Sequence, residues 1–591
     1  MMCGIIGCIS RENCYEKLLS SLARLEYRGY DSAGVCLLSE EGVLRVRKKK
    51  GYVSNLAGKR LAGGAGIGHT RWATHGKPSD ENAHPHLCGK FALVHNGIIE
   101  NYAALKEELL AEGDVFLSET DSEVVVHLLS RAYRGDFLGA VRQVCARLVG
   151  SYALAVLCSD FPGEIVAARK GSPLVAGAAK GALYVCSDVP ALCGEAEFLC
   201  PVEDGEFVVL SDAVRIYDGQ GRQIERTFSR VKSEQRVASV EEGTFMQSEI
   251  AQIPRALRDT LAGLEGTDFA PCARALRGAK RVWCAACGTA YHAALSFADL
   301  LAEEGFCDVF CSTSSEFRYK TPLIGEKDVF VAVSQSGETA DTLEAARLAR
   351  SRGAYLIGIT NVAESSLSRL VHFNIAMRAG PEIAVAATKS YNAQLVCLFY
   401  LAAQMLFFKR GEVPDWAGEL QILPEKAEEC FRTFGQMSAL AAKLRAAKGM
   451  FFLGRNADLP TALEGALKVR EIACLFAEGY PAGELKHGSL ALVEEGFPVL
   501  ALSTREALFA KTENALAEVR ARGAYAVLLS QSEGALSQSC ADCKVLLPQV
   551  CAPLMPVLSV LPLQYFACRM SLLRGMDPDK PRNLAKSVTV E

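Results

Sequence analysis

A cysteine three residues into the chain, followed by Gly4, is the first group able to do covalent chemistry. If Met1 and Met2 are removed, Cys3 carries both a thiol and a free α-amine. The amine, with an ordinary pKa of about 7.7 to 8.0, can serve as the base for a thiol near 8.5. The bland alternative is a buried residue of a first strand. A second candidate is the turn Ser334-Gln335-Ser336-Gly337-Glu338-Thr339, placed between an apolar run and a helical stretch. Its N–H groups and hydroxyls would hold an anion without a positive side chain, although a simple helix cap has the same composition. A third is the set Glu464, Lys468 and Glu471, spaced i, i+4 and i+7 on one helix face. It reads either as a chemical face or as a solvated ion-pair stripe.

Metal chemistry competes weakly. Five of the nine histidines (His69, His75, His84, His86, His95) crowd one stretch, and Cys284-x-x-Cys287 and Cys540-x-x-Cys543 could be zinc ligands. No His-Glu-x-x-His spacing accompanies the histidines, and the two cysteine pairs lie far apart in sequence, so no metal is expected.

These groups need elements to position them. Residues 3–216 alternate short strands (91–95, 152–158, 164–168, 205–210) with amphipathic helices at 102–112 and 121–133, which predicts an α+β domain of layered sheets and helices. The polar, turn-rich stretch 217–245 marks a connector, which is expected to run over 217–271. Beyond it, Arg352-Gly353-Ala354-Tyr355 recurs as Arg522-Gly523-Ala524-Tyr525 about 170 residues later. The strand ending in Ser334 pairs with one ending in Ser503 at nearly the same offset, and a strand and turn near Val282 pair with those near Met450. That is a duplicated domain, 272–410 and 440–575, each copy a doubly wound α/β parallel sheet, followed by a tail at 576–591. Half the residues are hydrophobic and 22% charged, so the chain is globular; with 64 basic against 68 acidic residues it is no electrostatic nucleic-acid binder. The apolar runs 395–408 and 551–568 are expected to be buried rather than membrane-spanning, the first because it is short and contains Gln404, the second because of Pro553, Pro556 and Pro562. No export signal is read at the amino terminus, and 22 scattered cysteines suit a reducing cytoplasm.

Cys3-Gly4-Ile5-Ile6-Gly7, Tyr27-Arg28-Gly29-Tyr30-Asp31-Ser32, His69 to Gly76, His95 to Asn101 and Ser118 to Glu123 resemble the glutamine amidotransferases with an amino-terminal nucleophile, whose glutaminase domain is a layered αββα fold. The hexapeptide at Ser334 resembles the phosphate loop of sugar isomerase domains. With the tail Pro581 to Glu591, the resemblance narrows to one family, the isomerizing glutamine–fructose-6-phosphate aminotransferases, and covers essentially the whole chain. It implies that L-glutamine and D-fructose 6-phosphate become glutamate and D-glucosamine 6-phosphate, the first step of amino-sugar biosynthesis, with ammonia passing between the two sites and no cofactor.

Residue by residue, the resemblance implies Cys3 as nucleophile, an oxyanion hole from Asn96 and Gly97, Arg71 on the glutamine carboxylate and Asp121 on its ammonium, with Trp72, Thr74 and His75 alongside. Trp72 would also gate the ammonia passage. Thr289, Ser334, Gln335, Ser336, Thr339, Val385 and Ala585 would contact the sugar phosphate. Lys586 would form a Schiff base with the open ketose, in an apolar pocket beside Leu584 and Val588 that favours the neutral amine. Glu471 would move the proton between C1 and C2, Lys468 would lie nearby, and His487, from the partner subunit of a homodimer, would assist ring opening. Ala290 and Ala387 stand where the family often has Ser, so sugar-hydroxyl contacts are expected to differ. Another ketose phosphate as acceptor remains an alternative; a sensor without chemistry would be expected to lack Cys3 or Lys586.

Overall fold

The computed structural model describes residues 3–230, 243–320 and 323–588. Met1, Met2, the stretch 231–242 of the expected connector and the end of the tail at 589–591 lie outside them. The chain divides into two compact units, Met1–Ala238 with Ser587–Glu591, and Ser239–Lys586.

In the first unit an eight-stranded and a seven-stranded antiparallel sheet face each other. Strand period fixes the layering, because neighbouring residues point to opposite faces. Ile5, Ala92, Val94 and Ala153 fill the space between the sheets, whereas Ile6 packs with Leu18 and Leu22 of helix Tyr15–Leu25. Phe91 and Leu93 pack against Val124 and Leu128 of helix Glu123–Ala132. The result is four layers, helix, sheet, sheet, helix. Asn96-Gly97, a pair that favours hairpin turns, sits instead inside the strand Phe91–Ile99, which pairs without a break with Gly150–Cys158.

The second unit holds two five-stranded parallel sheets with the same strand order. The first runs Asp308–Thr313, Arg281–Ala286, Asp328–Ser334, Tyr355–Thr360, Phe373–Ala376. The second runs Phe476–Pro481, Gly449–Gly454, Pro498–Leu502, Tyr525–Ser530, Cys543–Leu546. One face of each sheet joins a common core, with Val331 and Ile357 from the first sheet and Phe452 and Leu500 from the second. The other faces carry separate small cores around Phe330 and Phe451.

One expectation is corrected here. The described residues at both ends of the expected connector, 217–230 and 243–271, belong to the folded units. The turn at Asp218 joins Val214–Tyr217 to Gln223–Ile224 as a hairpin, and helix Ile253–Glu265 buries Ile253, Leu257, Leu261 and Leu264, a helical spacing, in the core of the second unit. The two long apolar runs are buried as expected, and both lie in helices: Lys389–Arg410 has 22 residues, and Met555–Leu573 continues through Pro562. By length and composition both could cross a membrane, but 78% of each apolar window is buried inside the unit. Pro556 costs no hydrogen bond because it occupies the first turn, where N–H groups have no intrahelical partner.

Candidate active sites

Cys3 lies just before the central strand Gly4–Ser10, beside the carboxyl end of its neighbour Ala65–Arg71. The Trp72 N–H donates to its Sγ at 3.2 Å. Burial raises the Cys3 thiol pKa, and the Trp72 hydrogen bond and Arg71 charge oppose that. The Cys3 carbonyl accepts from Asn96 Nδ2 at 2.8 Å and from Arg28 Nε at 3.1 Å. Arg28 is itself held by Asp188 at 2.6 Å. Gly97 has φ 133°, and a Cβ there would collide with the Ser151 carbonyl oxygen, so this bend in the strand requires glycine.

Around the thiol, Cys3, Arg71, Trp72, Thr74, Gly97 and Asp121 line one pocket together with His84, His95, Thr120 and Ser122. Asp121 Oδ2 accepts from the Ile99 N–H at 2.8 Å, which aims the carboxylate. The Arg71 guanidinium donates to the carbonyls of His75 and Gly76, so no carboxylate takes it up among its hydrogen-bond partners. His75 contributes mainly through its backbone; its ring lies 4.0 Å from Asp121. Arg28 and Asp188 were given no role from the sequence, although Tyr27-Arg28-Gly29 is part of the family motif. His69, His84, His86 and His95 are buried in this unit, and burial lowers the pKa of each. Among the described residues no group of three or more His, Cys, Asp or Glu side chains is arranged to hold a metal ion.

In the second unit the hydroxyl-rich turn follows the strand Asp328–Ser334 and precedes the helix Ala340–Ser351. Ser334 Oγ accepts from the Gly337 N–H at 3.0 Å and lies 3.0 Å from Thr339 Oγ1. Ser336 Oγ accepts from the Glu338 N–H at 3.1 Å. The Glu338 carboxylate turns to the Ser366 N–H at 2.7 Å. The Gln335 carbonyl accepts from Asn361 N at 3.1 Å.

Glu464 and Lys468 are fully buried, not a solvated stripe. Lys468 Nζ lies 2.6 Å from Glu471 and 3.3 Å from Glu464, and donates to Thr289 Oγ1 at 2.9 Å. Glu464 also binds Thr289 at 3.0 Å and His292 at 2.8 Å, so this network joins the two repeats. Thr289, expected at the sugar phosphate, is thus occupied by the charged helix. Burial works against the Lys468 ammonium, but Glu464 and Glu471 raise its pKa overall. His292 was not foreseen; no spacing rule links it to a helix more than 170 residues away.

The Lys586 side chain is largely buried, but not in an apolar pocket. Its Nζ donates to Glu382 at 2.5 Å and to the Ala384 carbonyl at 2.9 Å, while Val588 is exposed. A buried ammonium needs a counter-charge, and Glu382 supplies it. Burial alone would raise the Glu382 carboxyl, yet Lys586 and the hydrogen bonds from Ser390 and Thr388 bring it down to about 2. The Asp579 carbonyl accepts from Val385 N at 3.1 Å, tying the tail to the same loop. His487 is exposed, at the end of the short turn Leu485–His487.

Comparison with known proteins agrees with both halves. Residues 69–194 match the glutamine amidotransferase domain family, and residues 275–404 and 443–574 match the SIS domain family. The chain is 42% identical to a glutamine–fructose-6-phosphate aminotransferase [isomerizing] of Clostridium tetani over 613 residues, covering 100% of both chains. It is 43% identical to the protein of that name from Thermus thermophilus over 611 residues, again covering 100% of both. Among solved structures, the C-terminal domain of glucosamine-fructose-6-phosphate aminotransferase from Francisella tularensis superposes with a TM-score of 0.55 at 30% identity, covering 57% of this chain and 99% of that one.

Proposed function

The chain belongs to the family of isomerizing glutamine–fructose-6-phosphate aminotransferases and makes glucosamine 6-phosphate from fructose 6-phosphate and glutamine, and on that premise we propose which residues carry each half of the reaction.

Cys3 attacks the glutamine amide carbon, releasing ammonia and forming a thioester that water hydrolyses to glutamate. The Cys3 α-amine, once exposed, takes the thiol proton. Arg71 meets the substrate carboxylate with its planar fork, and Asp121 meets the ammonium. Asn96 and Gly97 stabilise the oxyanion. The observation that carries this half is the single pocket shared by Cys3, Arg71, Trp72, Gly97 and Asp121. Trp72, whose backbone N–H donates to the thiol, controls where the ammonia goes.

The turn from Ser334 to Thr339 holds the sugar phosphate. Lys586 forms the imine with the open ketose through its neutral amine, and Glu382, 2.5 Å away, holds that side chain in place. Glu471 carries the proton between C1 and C2, its charge balanced by Lys468. His487, exposed in one chain, acts from a partner subunit in a homodimer. A cytoplasmic location is supported by the 22 unpaired cysteines.

Cys3→Ala is the deciding experiment. It should abolish glutamine hydrolysis and glutamine-dependent synthesis while isomerisation of fructose 6-phosphate continues, and the mature wild-type chain should begin at Cys3 by intact mass. Full activity with Met2 still attached would remove the α-amine from the mechanism.

A further inference from the structure

We infer that His69 is the positioning residue that orients the Asn96 amide in the glutaminase site, an inference that rests on reading Asn96 as a donor to the oxyanion. His69 lies on the strand Ala65–Arg71, fully buried, opposite Ile5 of the central strand. Its Nε2 is 2.9 Å from the His95 carbonyl oxygen and 3.1 Å from Asn96 Oδ1. Both are acceptors, so Nε2 carries the proton and donates to both. The other ring nitrogen, Nδ1, is buried without a hydrogen-bond partner, which fits the unprotonated nitrogen of that tautomer.

The consequence lies in the amide. Asn96 Oδ1 accepts from His69, and Asn96 Nδ2 donates to the Cys3 carbonyl at 2.8 Å. A flip of the amide would place its N–H groups against the His69 N–H and its oxygen against the Cys3 carbonyl, losing both bonds. In the orientation held by His69, one Nδ2 hydrogen serves Cys3 and the second is left for an oxyanion formed beside Sγ. Without His69, only the reacting residue itself would orient the amide.

The imidazole is in turn held in place. The His84 ring packs against His69 at a tilt, 4.1 Å between centroids and 40° between planes, and His86 meets His84 edge-to-face at 4.5 Å. His86 Nε2 lies 3.1 Å from Thr120 Oγ1, next to Asp121. A column of rings thus runs from the amide to the loop that carries the carboxylate for the glutamine ammonium. Burial lowers the pKa of His69 and His86 to about 3, so the column brings no positive charge to the thiol at neutral pH.

The test compares two polar replacements in the full chain. In His69→Gln the side-chain N–H can reach the position of Nε2; in His69→Asn it is one bond short, though the site still holds a planar amide. His69→Gln should keep kcat for glutamine hydrolysis within about threefold, and His69→Asn should lower it about 10- to 100-fold with KM changed less than about twofold, since binding rests on Arg71 and Asp121. Isomerisation of fructose 6-phosphate, measured on the same samples, should be unchanged in both. Equal kcat values for the two variants, or a loss that falls on KM, would overturn the inference. Asn96→Ala in parallel separates the two levels: an unchanged kcat there removes the oxyanion reading and the inference with it, whereas a large loss there beside two active His69 variants removes the inference alone.

Discussion

The turn after the strand Asp328–Ser334 and the turn after the strand Pro498–Leu502 occupy the same place in two sheets of identical order, yet they hold different things. In the first repeat, Ser334, Ser336 and Thr339 fold the turn on their own hydroxyls, and Glu338 points away to Ser366. In the second, a carboxylate of the chain itself fills the turn: Asp458 accepts from Thr504 N at 2.9 Å and from Thr504 Oγ1 at 2.6 Å. The loops leading into the long helices differ in the same direction. Glu382 of the first repeat caps its helix through the Thr388 and Ser390 N–H groups, each at 3.0 Å, and pairs with Lys586. The corresponding stretch 547–554 of the second has no charged residue. Duplication thus supplied one scaffold twice, and local side chains fill the second turn with a carboxylate while the first, proposed to hold the sugar phosphate, has only hydroxyls there.

The largest effect should come from the amine that the first repeat holds. Lys586→Arg keeps a cation for Glu382 but forms no imine, so isomerisation and synthesis should fall by roughly three orders of magnitude or more. Fructose 6-phosphate should still bind. Borohydride trapping with the ketose should label Lys586, and label on Lys468 or Lys389 instead would assign the covalent step elsewhere.

The hydroxyl turn should show the next largest effect. Ser336→Ala with Thr339→Ala should weaken fructose 6-phosphate binding by about 1.5 to 3 kcal/mol for each lost contact to the charged phosphate. Glutamine hydrolysis measured without sugar should not change. An unaltered sugar-phosphate affinity would erase the proposed difference between the two turns.

How much of this was legible in sequence depends on how far apart the partners lie. The duplication was readable because the repeated Arg-Gly-Ala-Tyr and the strand ends are local signals, and the hydroxyl turn was readable because six consecutive residues carry it. Asp458 was not readable as the occupant of the second turn, because it reaches Thr504 across 46 residues and only the fold brings them together. Glu382 escaped for the same reason, being 204 residues from Lys586. The helical face of Glu464, Lys468 and Glu471 was visible as a spacing, but its burial was not, since the same spacing marks exposed helices.

A pH experiment sharpens the charge asymmetry. Glu249 accepts from the Ile383 and Ala384 N–H groups in the loop that holds Lys586. Burial first, and then the Glu382 charge, raise its pKa to about 8. A carboxyl with a raised folded-state pKa favours folding while it stays protonated, so its contribution is full below the unfolded value of 4.5 and is lost as pH rises through about 8. Glu249→Gln keeps the acceptor and cannot ionise. It should match the wild type near pH 4.5 and exceed it in stability above pH 8, by at most about 5 kcal/mol. Thermal unfolding at the two pH values checks the sign, and a stability gain that does not vary with pH would mean that Glu249 is not the titrating group.

The smallest effect concerns the second copy. Asp458→Ala leaves the Thr504 N–H and hydroxyl buried without their acceptor, a cost of about 1 to 3 kcal/mol per unpaired group. Part is offset, because burial raises the Asp458 carboxyl pKa and removing a desolvated charge is favourable. The net loss should be about 1 to 2 kcal/mol by urea unfolding, with the KM for fructose 6-phosphate unchanged. Inorganic phosphate then decides what the second turn has kept. If phosphate stabilises Asp458→Ala more than the wild type, the N–H geometry for an anion survives and Asp458 alone closes it. If phosphate stabilises both equally, the backbone itself has diverged, and the difference between the repeats is deeper than one carboxylate.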